Sequence, residues 1–144
     1  MNLRNISRNN IKNLQFNPEA IEYKGCSYVF KSLSIIQREG KLTPKKIGHF
    51  VTLWKRNESG VTCPLDASDD LDFLVIICES KNKQGHFFFP KEVLLEKGYL
   101  KSKRHAGKRG FRVYPAWDNP SSKQALKTQN WQLEYFKSEL VLEL

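Results

Sequence analysis

One segment restricts the fold more than any other: Leu71 to Cys78, LDFLVIIC, a nearly unbroken apolar run. It has strand length, and its branched and aromatic side chains show no polar alternation. That pattern marks a central strand covered on both faces. Lys81 to Gly85 then turns the chain, and His86 to Phe89 reads as an antiparallel return. At 144 residues and 40% hydrophobic side chains, one domain spanning 1–144 can bury such a strand.

The rest of the chain divides around it. Within an N-terminal stretch 1–20, Asn2 to Gln15 reads as a polar helix or arm. Ser27 to Ile36 reads as a strand, or as a hairpin bending near Lys31-Ser32. Thr43-Pro44 has the form of an N-cap and first-turn proline, which predicts a short helical turn over Lys45 to Gly48. His49 to Lys55 reads as a strand and Asn57 to Gly60 as a turn. Pro90 should open a helix through Lys97, with Gly98 as its stop. Phe111 to Tyr114 is a further strand. Asn119-Pro120-Ser121 opens a last helix to about Lys137, and Leu140 to Leu144 reads as a strand or helical turn. The expectation is an α/β (α+β) domain with a mixed, mainly antiparallel sheet flanked by helices.

Charge is segregated along this order. Lys41 to Arg56 holds five cations and no acid, Asn57 to Ser80 six acids and no cation, and Lys101 to Arg112 six cations and no acid. With a formal net charge of +9 and a sequence pI near 9.5, the chain favours an anionic partner. Cys26, Cys63 and Cys78 are widely spaced and lack a CxxC, which suggests reduced thiols and no zinc site. The opening MNLRNISRNN has no apolar leader core, and no apolar run approaches the ~20 residues needed to span a bilayer. The expectation is a cytoplasmic protein with no membrane partner.

The block Gly107 to Trp131, GKRGFRVYPAWDNPSSKQALKTQNW, concentrates the chemistry. Lys108, Arg109 and Arg112 can neutralise phosphate, Tyr114 and Trp117 offer stacking faces, and side-chain amides can read base edges or bridge buried backbone. On a helical wheel, Ala125, Leu126, Leu133 and Phe136 form the expected core face. Lys123, Lys127, Asn130 and Glu134 lie opposite. Gln124, Thr128, Trp131, Gln132 and Tyr135 form a third face, available either to a ligand or to neighbouring loops.

KLTPKKIGHFVTLWKR (41–56), DDLDFLVI (69–76), FFFPKEVLLEKG (87–98), GKRGFRVYPAW (107–117) and KQALKTQNWQLEYF (123–136) together resemble the MepB-like family, in its order and spacing. The chain departs from the family at Ala116, where a second proline is common, and across Leu33 to Gly40. The resemblance implies no catalytic mechanism. A more distant likeness, of topology alone, is to restriction-endonuclease-like domains.

Nucleases of that fold place an Asp on one strand and Glu-x-Lys on the next, holding Mg²⁺ that activates water. Glu39-Gly40-Lys41 and Glu79-Ser80-Lys81 supply the triplet. In the second, the nearest acid, Asp72, would lie on the same strand about 23 Å away at 3.3 Å per residue, out of reach of one metal. A catalytic site would therefore be Glu39 and Lys41 with Glu22, or else Asp72, as the second carboxylate. His49, His86 and His105 show no metal spacing and read as surface or strand residues.

The leading expectation is a binder of double-stranded DNA. Its contacts would be Lys45, Lys46, Lys55, Arg56, Lys108, Arg109 and Arg112 on phosphates, with Trp117, Gln124, Lys127, Thr128, Gln129, Trp131 and Gln132 beside them. The alternatives are a Mg²⁺-dependent nuclease of the PD-(D/E)xK type, and a small-molecule or peptide binder in an aromatic-amide pocket around Tyr114, Trp117 and Trp131.

Overall fold

The LDFLVIIC segment forms the middle of the protein. A computed structural model describes residues 6–139, and in it Phe73–Ser80 is strand β8, with Leu74 through Cys78 all buried. The other strands are β1 (Ile11–Phe16), β2 (Cys26–Phe30), β3 (Leu33–Glu39), β4 (Lys41–Thr43), β5 (Lys46–Thr52), β6 (Trp54–Arg56), β7 (Thr62–Pro64), β9 (Lys83–Pro90), β10 (Gly110–Val113) and β11 (Phe136–Lys137). The helices are α1 (Lys91–Glu96) and α2 (Lys123–Gln132). The main sheet has six strands in the order β1-β2-β3-β8-β9-β11. Only β3 and β8 run parallel; every other pair in it is antiparallel.

Alternation along β8 serves two cores. Leu74, Ile76 and Cys78 join Val51, Leu53, Phe87, Phe89, Leu94, Phe111 and Val113 on one face. Val75 and Ile77 join Cys26, Tyr28, Phe30, Ile35 and Ile6 on the other. The larger core is roofed mainly by a second sheet of three strands, β10-β5-β4, with α1 and α2 as smaller contributors. The sheet is thus mixed and mainly antiparallel, but the expectation of flanking helices gives way to sheet on sheet. All three cysteines are free thiols. Burial pushes Cys26 up to about 11 and raises Cys78 further, so neither is a ready nucleophile.

The β2–β3 hairpin turns at Lys31 and Ser32, both at positive φ (48° and 65°), which suits the twist of a two-residue turn. Pro90 is the N-cap of α1, and Gly98 takes φ +75° just past its end. Three expectations are corrected. Ile6–Gln15 is a 3-10 turn (Arg8–Asn10) followed by edge strand β1, not a helix, because Ile11 and Leu14 pack half-buried against the smaller core. Pro44 and Lys45 form the bend of the β4–β5 hairpin, closed by the Thr43↔Lys46 pair, so no helical turn exists there. A proline ring fits a hairpin bend as well as a helix start, since neither needs its N–H. The last helix ends at Gln132, passing through a 3-10 turn (Leu133–Tyr135) into β11. The expected element at Leu140 to Leu144 lies outside the described residues.

The wheel of α2 is also corrected. Leu126 is 47% exposed, whereas Gln132 on the supposed third face is buried and Trp131 packs on Phe89 and Tyr99. Hydrophobicity alone misplaces the inner face, because the surface α2 must cover contains unpaired backbone. Phe89→Ala is expected to cost roughly 3–5 kcal/mol, and Leu126→Ala under about 0.5 kcal/mol, in urea unfolding. Equal losses would restore the sequence-based wheel.

Candidate nucleic-acid interface

The three-stranded sheet carries Lys41, Lys46 and Arg112, and the basic 101–109 loop leads into its strand β10. Gly110 pairs with Thr52, Arg112 with Phe50, and Val113 with His49. Phe111 and Val113 face the core, so alternation turns Gly110 and Arg112 outward. The Phe50 ring lies over Gly110, where a Cβ would come within 2.6 Å of Phe50 Cζ. Arg112 stacks on the same ring at 5.7 Å. Its Nη2 donates to Thr43 Oγ1 at 2.7 Å, and its Nη1 points to the Ile47 and Gly48 carbonyls at 3.3 and 3.5 Å. Arg112 therefore braces the β4–β5 hairpin from the outer face of the sheet.

Two further expected phosphate contacts are also engaged within the protein. Lys55 Nζ meets Asp69 at 2.8 Å and Asp66 at 3.1 Å. The hydrogen bond from the Ser68 hydroxyl, then that from Lys55, holds the Asp66 carboxyl down to about 2, while the bond to Asp69 raises Lys55. Arg56 stacks on Trp54 and donates to Glu19 at 2.7 Å and to the Gly60 carbonyl at 3.0 Å. The acidic block thus neutralises one neighbouring lysine rather than forming a separate face.

The remaining cations lie at the two ends of this sheet. Lys45 and Lys46 are exposed at the β4–β5 bend and form no ion pair among the described residues. At the other end, the 101–109 loop exposes Lys101, Lys103, Arg104, Lys108 and Arg109. Lys108 lies 5.5 Å from the Tyr99 ring and Arg109 makes a long 3.3 Å bond to Thr62, while Gly107, at φ +81°, lets the loop pass close to the Lys101 backbone. Lys46 to Thr52 spans about 20 Å at strand rise, the distance between the two groups along β5. Lys101, Lys103 and Arg104 were absent from the residues singled out above, although their acid-free block was the signal.

The amides have a different task. Gln132 has no exposed surface; its Oε1 accepts from Tyr114 N at 3.0 Å, and its Nε2 donates to Arg112 O at 2.9 Å and Tyr99 OH at 3.2 Å. β10 is an edge strand, and one side-chain amide supplies the donor and acceptor that a further strand would offer. Gln129 Nε2 donates to the Asp118 carbonyl at 2.8 Å and the Pro115 carbonyl at 3.1 Å, fixing the following turn. Trp131 lies under Lys97, Trp117 packs between His49 and Phe136, and Tyr114 covers Gly48. Thr128 is half-buried; Gln124 and Lys127 are exposed on α2.

The residues considered for catalysis sit where β3 meets β4. Lys41 Nζ is 3.4 Å from Glu22 and 5.3 Å from the Tyr23 ring centre, while Glu39 is 3.5 Å from Lys24 Nζ. Asp72 instead accepts from Ser34 N at 2.8 Å and donates its own N–H to Ser34 O at 2.7 Å. Register sets Glu39 across from Ile77, so Asp72 lies about 17 Å away along β8. No three His, Cys, Asp or Glu side chains converge as a metal site among the described residues. His49 and His86 are buried strand residues, and no helix among the described residues is long and apolar enough to cross a membrane.

Comparison with known proteins adds the lineage. The MepB-like family profile matches residues 17–138. A solved structure, titled as the crystal structure of MepB, is 38% identical, covering 89% of this chain and 86% of that one, with a TM-score of 0.86. Curated proteins give no match.

Gln132→Leu should cost roughly 2–5 kcal/mol, because it orphans a buried N–H and a buried carbonyl. Lys45→Ala should change stability by less than about 0.5 kcal/mol. Denaturant unfolding checks both, and a neutral Gln132→Leu would contradict the edge-strand role.

Proposed function

This chain belongs to the MepB-like family, and we propose that it binds double-stranded DNA through the exposed cations at the two ends of the β10-β5-β4 sheet. One observation carries this reading: Lys45, Lys46, Lys101 and Lys103 are exposed without an ion pair among the described residues, in a chain of net charge +9. Lys108, Arg104 and Arg109 extend the second group. Two basic groups about 20 Å apart suit phosphates several base pairs apart, since each strand carries one phosphate per ~3.4 Å of helix axis. Lys55, Arg56 and Arg112 shape this surface from within. Gln124 and Lys127 on α2 remain available to a duplex, whereas the Gln129 and Gln132 amides are committed to backbone.

A restriction-endonuclease-like reading with Mg²⁺-dependent cleavage is the second form of the proposal. Glu22 and Glu39 lie in one region, which supports it. Each is held by a lysine, which favours binding without cleavage. Mg²⁺ would have to displace Lys41 and Lys24 before either carboxylate could coordinate it. Plasmid incubated with Mg²⁺ or Mn²⁺ separates the two forms: gel shift without nicking supports binding, and nicking lost in Glu39→Gln supports the nuclease. The rings of an aromatic-amide ligand pocket are engaged in packing, so that reading gains nothing from the geometry.

The test of binding is its salt dependence. Log affinity should fall linearly with log salt, and each phosphate contact removed by Lys45→Ala, Lys46→Ala or Lys108→Ala should flatten the slope by about 1 and weaken all sequences alike. Affinity that holds constant as salt rises removes the proposal.

A further inference from the structure

The bend of the β4–β5 hairpin is apolar as well as basic. Leu42 is 57% exposed and Ile47 44%, and Pro44 also faces water. Lys45 and Lys46 stand between Leu42 and Ile47 in the sequence, exposed and without an ion pair among the described residues. A single exposed aliphatic side chain is ordinary on a protein surface. Here two share one hairpin bend with a proline and two unpaired cations. The bend is also braced. Arg112 Nη2 donates to Thr43 Oγ1 at 2.7 Å, and its Nη1 points to the Ile47 and Gly48 carbonyls at 3.3 and 3.5 Å. The Tyr114 ring packs on Gly48, where φ is +93° and a Cβ would come within 2.8 Å of the ring. A braced backbone presents these side chains to a partner with little freedom left to lose on binding.

We propose that this hairpin is a wedge: Leu42 and Ile47, with Pro44 at the bend, enter the minor groove of a bound duplex and part a base step, while Lys45 and Lys46 hold the flanking phosphates. The inference rests on the duplex-binding reading above and adds a deformation of the DNA to it. Aliphatic and proline side chains inserted from the minor groove partly unstack the step and kink the duplex toward its major groove. Burial of the two aliphatic side chains against the bases offsets the lost stacking.

An anionic lipid surface is the other partner that suits an apolar, basic bend. The cations of the 101–109 loop argue against it. They lie about 20 Å from the bend along β5, which exceeds the Debye length at physiological salt. A flat membrane met by the tip would therefore not feel them. A duplex lying along the sheet meets both basic groups, and the wedge then fixes where along the duplex the hairpin sits.

The test uses the full chain and a short duplex with a fluorophore at each end. Wild type should shorten the end-to-end distance, reporting a kink of about 20° or more. The double variant Leu42→Thr, Ile47→Thr removes the apolar wedge and keeps strand propensity. It should bind about tenfold more weakly and leave the duplex straight. Its salt slope should match wild type, because no phosphate contact is lost. A straight duplex in the wild-type complex, or a kink that survives in the double variant, overturns the wedge, and an intact salt slope then still upholds duplex binding. Binding that is absent or indifferent to salt overturns both. Wild type that pellets with anionic phospholipid vesicles, or that dimerises, without kinking the duplex, and loses that behaviour in the double variant, assigns the bend to another partner and overturns the wedge. If the double variant does not fold, a fluorescent base analogue moved along the duplex decides with wild type alone. Unstacking at one step supports the wedge, and unchanged stacking at every step overturns it.

Discussion

The rest of the structure depends on the burial of β8 on both faces. Leu74 through Cys78 cannot meet water on either side, so the strand must lie inside its sheet and carry a core above and below. The parallel β3–β8 pairing then has a geometric cost, because parallel neighbours need a long crossover. Residues 40–72 are that crossover. They run through the β4–β5 hairpin and the separate β6–β7 pair, and the hairpin with β10 forms the sheet that roofs the larger core. The basic hairpin exists because the apolar strand requires a covered path across its sheet.

Closing that roof creates the next problem, which is the free edge of β10. One glutamine, Gln132, meets the edge with its amide, and a second, Gln129, holds the turn beyond it. Arg112 ties the same sheet to the hairpin bend on its outer face. The block from Gly107 to Gln132 therefore combines two roles. Its amides and Arg112 build the scaffold, and Lys108 and Arg109 face solvent beside it.

Periodicity and turn chemistry made much of this legible. The unbroken run of β8, the β2–β3 bend at Lys31-Ser32 and the start and stop of α1 were all evident in local sequence. Pro44 was not, because proline serves hairpin bends and helix starts alike, and pairing of Thr43 with Lys46 decides between them. The N-terminal strand was missed because an edge strand tolerates polar residues that resemble a solvated arm. At the site, charge blocks showed where cations gather but not which would meet a carboxylate. Lys55 reaches Asp66 and Asp69 only after the β6–β7 turn folds back, and Arg56 finds Glu19 from a distant segment. The amide face of α2 was visible as a pattern, yet only the open edge of β10 explains it.

The central claim is that DNA meets the ends of the small sheet and leaves the backbone-bound amides of Gln129 and Gln132 untouched. Titration of isotope-labelled protein with a short duplex, followed residue by residue by nuclear magnetic resonance, tests it most directly. The account predicts that backbone signals of Lys45, Lys46 and residues 101–109 move first and furthest, while the side-chain amides of Gln129 and Gln132 stay in place. Shifts centred on those glutamines, or none at either basic group, would contradict it.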